Sequence, residues 1–360
     1  MISPLTKKRL RNFRRNRRAW WSLLALGAIF VFCLCAEWTC PCDPKAVVDV
    51  ASLEPYREAR VEKTYEIMTA RWSIGGDGKI FDYEGPADFN EEDYEIERKP
   101  GHCHVRCFAT PKAPPKVTEK VLPPAAASFP FRPVPGHPFG IDAGGRDVYA
   151  RVVHGMRIAL VFGLALALFG MAFGLVIGAI EGYFGGKTDI VLQRFTEIWS
   201  AMPFLYVMIF FGSTVGRSFA VLLACYALFN WITVSYYMRA EFLRLRMRTF
   251  VEAAKVMGCS TWRILFVHIL PNALTPLITL FPFLLMGAIA SLAALDFLGF
   301  GLPPMTPSCG ELLAEAQQFR GAWWLILFPS AALFVVMLAT VLVGEGLRDA
   351  FDPRQESRLE

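Results

Sequence analysis

The sequence has few charged residues and lacks the patterns of several enzyme classes. Only 19% of its 360 residues are Asp, Glu, Lys or Arg, whereas 54% are hydrophobic. These fractions lie outside the usual range of soluble globular domains. The H-E-x-x-H pattern of a zinc protease is absent, and no nucleophile with a plausible base is evident in the apolar runs. An enzyme is therefore the weaker hypothesis.

A complete phosphate-binding loop is also missing. The stretch from Gly182 to Thr188 ends in G-K-T, as such loops do. The first glycine of G-x-x-x-x-G-K-T would have to stand at position 181, which is Glu181, and the stretch follows an apolar run rather than a β-strand. We therefore expect no ATP-binding site on this chain and no cofactor of its own.

Long apolar runs are what the sequence does contain. A helix needs about 20 apolar residues to cross roughly 30 Å of hydrocarbon. The first run, Ala19 to Trp38, follows eighteen residues that hold eight bases and no acid. A signal peptide is the alternative, but its apolar region is usually about 7 to 15 residues long, and no small-residue cleavage site precedes Cys40. We predict an uncleaved first transmembrane helix with a cytoplasmic N-terminus, the side that basic flanks prefer.

Five further runs predict five more spans. They cover about residues 156–184, 189–212, 218–238, 265–295 and 325–345. Six crossings that start in the cytoplasm return the C-terminus to the cytoplasm. Residues 239–263 then also lie on the cytoplasmic side, which agrees with their excess of six bases over two acids. The net charge of +5 thus reports topology rather than a nucleic-acid partner. The predicted fold class is all-α integral membrane, with six transmembrane helices and a large extracytoplasmic insertion after the first.

The insertion is acidic and rich in proline in its second half. From Thr39 to His154 it holds 18 acids against 15 bases, which favours an external position. Nine prolines between Pro111 and Pro138 are too many for a helix or a central strand, so we expect an extended tether there. The earlier part has no periodicity that names a fold. The predicted divisions are a basic cytoplasmic N-terminus (1–18), a first helix (19–38), an extracytoplasmic segment (39–155), a five-helix core (156–347) with a cytoplasmic loop (244–263), and a cytoplasmic C-terminus (348–360).

Four cysteines lie in this external segment: Cys40, Cys42, Cys103 and Cys107. In an oxidising compartment they would form two disulfides, with three possible connectivities. A metal site that combines these thiols with His102 or His104 is the alternative.

Two patterns inside the spans predict helix contacts. Gly170, Gly174 and Gly178 recur every four residues, so they lie on one helix face where another backbone can approach closely; simple tolerance of glycine in membrane helices is the alternative. Arg194 and Glu197 are three residues apart and are expected to pair.

The loop before the fifth span predicts a short rigid helix. Residues 249–257 can form it, Gly258 can end it in the left-handed conformation, and Ser260 can cap the next helix. A helix held across the membrane surface can be gripped by a partner and can pass rigid-body movement to the spans. An ordinary interfacial helix is the alternative.

The order of residues in this loop resembles the coupling loop of permeases from ATP-binding-cassette (ABC) importers. Glu252-Ala253-Ala254 is followed after three residues by Gly258, and then after ten residues by Ile269-x-Pro271. The resemblance implies that the loop docks in a groove of the ATP-binding subunit, with its first four named residues at the core of the contact.

Three further segments, residues 137–151, 295–304 and 346–354, are similar to the second permease subunit of the peptide, dipeptide and nickel branch. Asp296 and the stretch Phe13 to Arg18 are most similar to the microcin C or Yej-type subgroup of oligopeptide importers. The resemblance covers residues 1–38 and 137–354. Pro271, with Pro203 and Pro282, would permit the bends that suit a gated pathway.

The resemblance implies a multi-pass permease subunit of the inner membrane that moves peptides or peptide-like solutes into the cytoplasm by alternating access. Its implied partners are a homologous second permease, ABC ATPase subunits, an extracytoplasmic solute-binding protein and membrane lipid, but no nucleic acid. Asp296, near the external end of a span, is a candidate pathway residue or a structural cap. A membrane-anchored sensor or hydrolase that acts through the external segment is the alternative function.

Overall fold

The computed structural model describes residues 11–40, 42–56 and 129–351, together with the backbone of six strands between residues 60 and 122. The chain divides into two compact units: Met1–Val47 with Phe129–Glu360, and Val48–Ser128.

The first unit is helical. Its helices in chain order are α1 (Arg17–Leu34), α2 (Ala36–Thr39), α3 (Val148–Phe184), α4 (Gly186–Ser200), α5 (Phe204–Thr214), α6 (Phe219–Arg246), α7 (Thr249–Val256), α8 (Thr261–Arg263), α9 (Leu270–Phe297), α10 (Cys309–Gln318) and α11 (Trp324–Phe351). A π-helical stretch, Ile264–Ile269, joins α8 to α9 and makes Thr261–Phe297 continuous.

Among the described residues, five helical segments are long and apolar enough to cross a membrane: α1, α3, α6, Thr261–Phe297 and α11. They coincide with five of the six predicted runs. The run predicted at residues 189–212 is instead two helices, α4 and α5, bent by 69°. Pro203 lies at the break and precedes the first residue of α5, a position where its missing N–H costs no helical hydrogen bond. The bent pair is a sixth span only if α4 and α5 together form one crossing of the membrane.

Glycines bring α3 and α6 close together. A Cβ added to Gly174 would lie 2.6 Å from the carbonyl oxygen of Trp231, and one added to Gly178 would lie 2.5 Å from that of Ser235. A Cβ added to Gly170 would meet the Asn230 side chain and would lie 3.2 Å from the carbonyl oxygen of the same residue. The predicted close approach at these three positions is confirmed, and it fixes the contact between two spans of the core.

The second unit contains β-structure, so the all-α description holds for the membrane part and not for this insertion. The strands are β1 (Arg60–Ile67), β2 (Ala70–Ile74), β3 (Ile80–Glu84), β4 (Tyr94–Lys99), β5 (His102–Cys107) and β6 (Lys116–Leu122). They form an antiparallel sheet in the order β3-β2-β1-β6 and a separate β4-β5 pair. β6 lies within the proline-rich stretch that was predicted to be an extended tether, but it contains no proline and occupies an edge of its sheet, where neighbouring prolines are tolerated.

A compact cap formed by residues 129–147 leads into α3. Isolated bridges pair Phe131 with Ile141 and Val134 with His137. The Phe139 ring stacks on Phe328 of α11 at a centroid distance of 4.0 Å. The cap is therefore fastened to the last span.

Candidate functional site

The coupling segment, residues 248–271, begins with α7 and its terminating turn. Gly258 has φ +74°, in the left-handed region. Its N–H donates to the Lys255 carbonyl and the N–H of Cys259 donates to the Ala254 carbonyl, both at 3.0 Å. These two bonds form a Schellman motif, which satisfies the last carbonyls of the helix. The predicted stop at Gly258 is thus confirmed.

A second cap follows at once. The Ser260 hydroxyl accepts a hydrogen bond from the N–H of Arg263 at 3.4 Å, so the predicted cap is also confirmed. One helix therefore ends and the next begins within a few residues.

α7 has one buried face and one exposed face. Val251 and Ala254, three residues apart, are buried, whereas Glu252 and Ala253 are exposed. Val256 is 89% exposed. The motif residues therefore have different roles: Ala254 is small because it lies against the core, and Glu252 and Ala253 face outward, where a partner could contact them.

The buried face of α7 packs against a local apolar cluster. The cluster joins Val251 and Ala254 of α7 to residues of α6, of the π-helical stretch and of the start of α9: Phe242, Leu245, Ile264, Ile269 and Ala273. The cluster therefore joins α7 to two spans, α6 and Thr261–Phe297.

Tyr183 connects the same segment to α3. The Lys255 ammonium lies 5.9 Å from the centre of the Tyr183 ring, and the Arg246 guanidinium donates to the Tyr183 carbonyl at 3.2 Å. Sequence reasoning missed Tyr183 and Arg246, because their contacts join residues more than sixty positions apart.

The π-helical stretch Ile264–Ile269 lies just before Pro271. Proline has no N–H to donate to the carbonyl four residues earlier, which fits the widened turns at this point. Ile269 is buried in the cluster and Pro271 is exposed. The structure thus places all six predicted coupling residues in one segment, with four on α7 and its cap and two at the entry to α9.

The coupling segment also carries an exposed pair of aromatic side chains. Trp262 is 71% exposed and stacks on Phe266 at 5.6 Å between ring centroids. Sequence reasoning did not single out this pair, although its spacing of four residues places it on one helix face.

Asp296 is buried at the end of α9 and its carboxylate has partners. Oδ1 accepts from the N–H of Leu302 at 2.7 Å, and Oδ2 accepts from the Ser308 hydroxyl. Gly301 and Gly310 lie against this side chain with no room for a Cβ. The geometry is that of a structural cap which folds the chain after α9; a role in the solute pathway stays a prediction.

A buried ion cluster lies where the cap enters α3. The Arg151 side chain contacts the Asp142 carboxylate and donates to Glu311 at 2.6 Å and to Glu315 at 2.9 Å. Arg146 donates to Asp142 at 2.9 Å. This cluster gives a structural role to residues 142–151 of the predicted signature, because it joins them to α10. The part that the two acids of α10 play in it was not predicted from the sequence.

Burial raises the pKa of the Glu315 carboxyl above its usual value, and the Arg151 guanidinium opposes that shift. Asp147 caps α3 by accepting from the N–H of Ala150 at 2.8 Å, and it also contacts the His137 ring at 2.5 Å. Two sets of polar contacts therefore hold the start of α3.

The cysteine predictions are only partly covered by the structure. Cys40 is buried and Cys42 is exposed, and both are free thiols. Burial raises the pKa of the Cys40 thiol. Cys103 and Cys107 lie on β5, but their side chains, like those of His102 and His104, are outside the described residues, so both the disulfides and the metal site stay predictions. Within the described part of the chain, no group of three or more His, Cys, Asp or Glu residues is arranged to hold a metal.

The G-K-T stretch has a structural explanation. Gly185 and Gly186 have φ of +62° and +56°, and they form the turn between α3 and α4. A Cβ added to Gly185 would collide with the Arg246 guanidinium. The glycines serve a tight turn between two helices.

Together, several helical spans and a surface helix that packs against three of them define a multi-span helical membrane protein. Sequence comparison is consistent with this class. The chain belongs to the binding-protein-dependent transport system inner membrane components, whose family model matches residues 170–357. A second model, the N-terminal transmembrane domain of oligopeptide transport permease C, matches residues 4–55.

Individual relatives agree with this family. The peptidoglycan transport system permease protein YejE of Agrobacterium fabrum is 35% identical, and the match covers 99% of this chain and 95% of that protein. The inner membrane ABC transporter permease protein YejE of Escherichia coli is 34% identical, with 98% of each chain covered. A dipeptide transport system permease protein, DppC of Haemophilus influenzae, is 37% identical over 61% of this chain and 75% of its own.

These matches confirm the predicted family and the function as a permease subunit of an ABC importer. They also confirm a multi-pass inner-membrane location; the orientation of the termini stays a prediction. The full-length matches include the insertion, which the resemblance drawn from motifs did not cover.

Proposed function

We propose that this permease moves peptides or peptide-like solutes into the cytoplasm, together with a homologous second permease, ABC ATPase subunits and an extracytoplasmic solute-binding protein. The substrate class is supported by the names of the relatives, which refer to peptidoglycan, dipeptide, oligopeptide and glutathione transport. These solutes share peptide bonds or peptide fragments.

The observation that carries the proposal is the division of α7 into a buried and an exposed face. The exposed face carries one acid and two apolar side chains, Glu252, Ala253 and Val256. None of the three lies in the core of the fold. An apolar surface of this kind, next to exposed Met257 and Trp262, is typical of a site where another protein binds. The ATPase subunit is the proposed occupant.

The proposed mechanism is alternating access. ATP is bound and hydrolysed by the partner, and closure of the ATPase displaces α7. The displacement reaches α6 through Phe242 and Leu245, reaches α9 through Ile264 and Ile269, and reaches α3 through Tyr183. Packed interiors shift as rigid elements rather than deforming gradually, so the three spans reorient together.

The external end is proposed to move as one piece with the core. The Arg151 cluster holds the start of α3 to α10, and the Trp324 indole donates to the Ile141 carbonyl at 3.2 Å, which holds the cap to α11. A solute-binding protein would therefore meet a preformed external surface rather than loose segments.

The proposal is tested by purification of the tagged chain from its native membrane in mild detergent, followed by mass spectrometry of what remains bound. We expect a second permease and an ATPase with the wild-type chain, and loss of the ATPase with Glu252→Ala/Gly258→Val. Glu197→Ala is the matched control, because Glu197 is a half-exposed acid that pairs with Arg194 outside the coupling segment. A chain that purifies alone in every case would support the sensor or hydrolase alternative instead.

A further inference from the structure

A polar cleft lies where the first span begins and the last span ends. The Asn16 amide donates to the Asp349 carboxylate at 3.4 Å. There is no room for a Cβ at Gly346 beside the Cβ of Ala19, so α1 and α11 approach closely here. A cleft of about 470 Å³ opens beside this contact. A water molecule takes about 30 Å³, so the cleft is large enough for a far larger polar group.

The cleft carries charges of both signs. Three arginines, Arg15, Arg17 and Arg18, line the cleft together with two acids, Glu345 and Asp349. Arginine offers a planar set of donors that matches phosphate oxygens. The two carboxylates would repel a ligand that is only anionic, but they would attract an ammonium group on the same ligand.

The position along the spans is that of lipid headgroups. The apolar run of α1 starts at Ala19, directly after the three arginines. Trp20 and Trp21 follow, and Trp21 is 67% exposed. Tryptophan favours the boundary between hydrocarbon and water, so this level of α1 marks that boundary. Exposed Leu23 and Leu24 then provide an apolar surface next to the cleft, where acyl chains can lie.

We propose that this cleft binds the zwitterionic phosphoethanolamine headgroup of a membrane phospholipid. The arginines hold the phosphate, and Glu345 and Asp349 hold the ammonium. The bound lipid bridges α1 and α11, and it stabilises the contact between the first and the last span. A headgroup with a phosphate but no ammonium binds less tightly, because the two carboxylates repel it and it carries no positive group that they would attract.

Native mass spectrometry of the purified full-length chain tests this site. Phosphatidylethanolamine and phosphatidylglycerol with identical acyl chains are added in parallel, and soluble glycerophosphoethanolamine is added in a third arm to distinguish a lipid site from a site for a free phosphate compound. We expect roughly tenfold higher retention of the ethanolamine lipid than of the glycerol lipid, the factor that corresponds to one charge-assisted hydrogen bond. We expect little retention of the soluble compound.

Variants separate the contribution of the arginines from that of the two acids. Arg15→Gln, Arg17→Gln and Arg18→Gln, tested singly and together, should lower retention of both lipids. Glu345→Gln/Asp349→Asn should remove the preference, because retention of the glycerol lipid rises to that of the ethanolamine lipid. Arg11→Gln is the control: Arg11 is an exposed arginine of the same terminal segment that does not line the cleft.

Three outcomes would overturn the proposal. They are equal retention of the two lipids by the wild-type chain, retention by the single and triple arginine variants that matches the Arg11→Gln control, and binding of the soluble compound as tight as that of the lipid. The single variants keep the test decisive even if the triple variant does not insert, since each leaves two guanidinium groups in place.

Discussion

Arg239 of α6 holds Asp189 of α4 through two hydrogen bonds, from Nε at 2.6 Å and from Nη2 at 2.8 Å. This bidentate pair joins the bent helix pair to a span of the core. Arg194, in contrast, pairs with Glu197 through one nitrogen on an exposed helix face. The predicted pairing of Arg194 with Glu197 is confirmed, but the pair that fastens α4 was not predicted.

The first prediction concerns this fastening. Arg239→Lys should lower the free energy of unfolding by about 1 kcal/mol, because lysine cannot reproduce the two parallel bonds. Thermal unfolding of the purified protein measures the effect. Arg194→Lys is the matched control and should change little, since exposed pairs contribute roughly 0 to 1 kcal/mol. Equal shifts for the two variants would mean that the Asp189 contact is no stronger than a surface pair.

Gly258 gives a second prediction, about backbone conformation. A Cβ at Gly258 would meet nothing within 4 Å, so the cost of a substitution comes from φ alone. Gly258→Val should destabilise the coupling segment by about 1 to 2 kcal/mol, and Gly258→Asn by clearly less, because asparagine tolerates the left-handed region. Hydrogen exchange of α7 measures the difference.

Gly287→Val is the control for that experiment. Gly287 lies within α9 and also has nothing within 4 Å of an added Cβ. Its variant should leave the exchange of α7 unchanged. Similar exchange in the Val and Asn variants of Gly258 would contradict the role assigned to the left-handed turn.

The third prediction tests the buried cluster at the start of α3. Arg151 is fully buried, and its loss would leave Glu311 without a guanidinium partner and Asp142 with Arg146 alone. Arg151→Gln should lower the free energy of unfolding by about 3 kcal/mol or more, which is the range observed when one partner of a buried ion pair is removed. Arg157→Gln, which removes an exposed pair with Glu37, is the control and should cost under about 1 kcal/mol. The yield of folded protein and its unfolding temperature measure both.

Glu315 gives a fourth prediction, about pH. Because burial raises its pKa in the folded chain above the usual 4.5, the folded state binds more protons than the unfolded state between the two pKa values. The contribution of Glu315 to stability is therefore greatest at low pH and declines as the pH rises through that window. Glu315→Gln should remove this decline, while a profile identical to that of the wild type would show that Glu315 does not titrate in the folded chain.

The coupling segment was predictable because its signals are local. Gly258 and Ser260 act through hydrogen bonds to residues within five positions. The apolar runs are local signals too, and they located the spans. The β-strands of the insertion were not predicted, because their residues showed no periodicity strong enough to name a fold. The 69° bend between α4 and α5 was not predictable either, since hydropathy does not report angles, although Pro203 marked its place.

Long-range partners were invisible to sequence reasoning. Arg151 was recognised as part of a signature, but Glu311 and Glu315 lie about 160 residues away and have no local signal of their role. The contact between Tyr183 and Lys255 likewise has no local signal in the sequence. Asp296 shows the opposite case, where a residue considered for the pathway has its carboxylate occupied by Leu302 and Ser308.

The central claim, that the exposed face of α7 receives the ATPase, is tested most directly by site-specific photo-crosslinking in native membranes. A photo-reactive residue at Val256 should form a product with the ATPase subunit, identified by mass spectrometry. The same residue at Val215, which is 64% exposed and follows α5, should form none. A Val256 variant that inserts normally but yields no ATPase product, or the same product from both positions, would contradict the account.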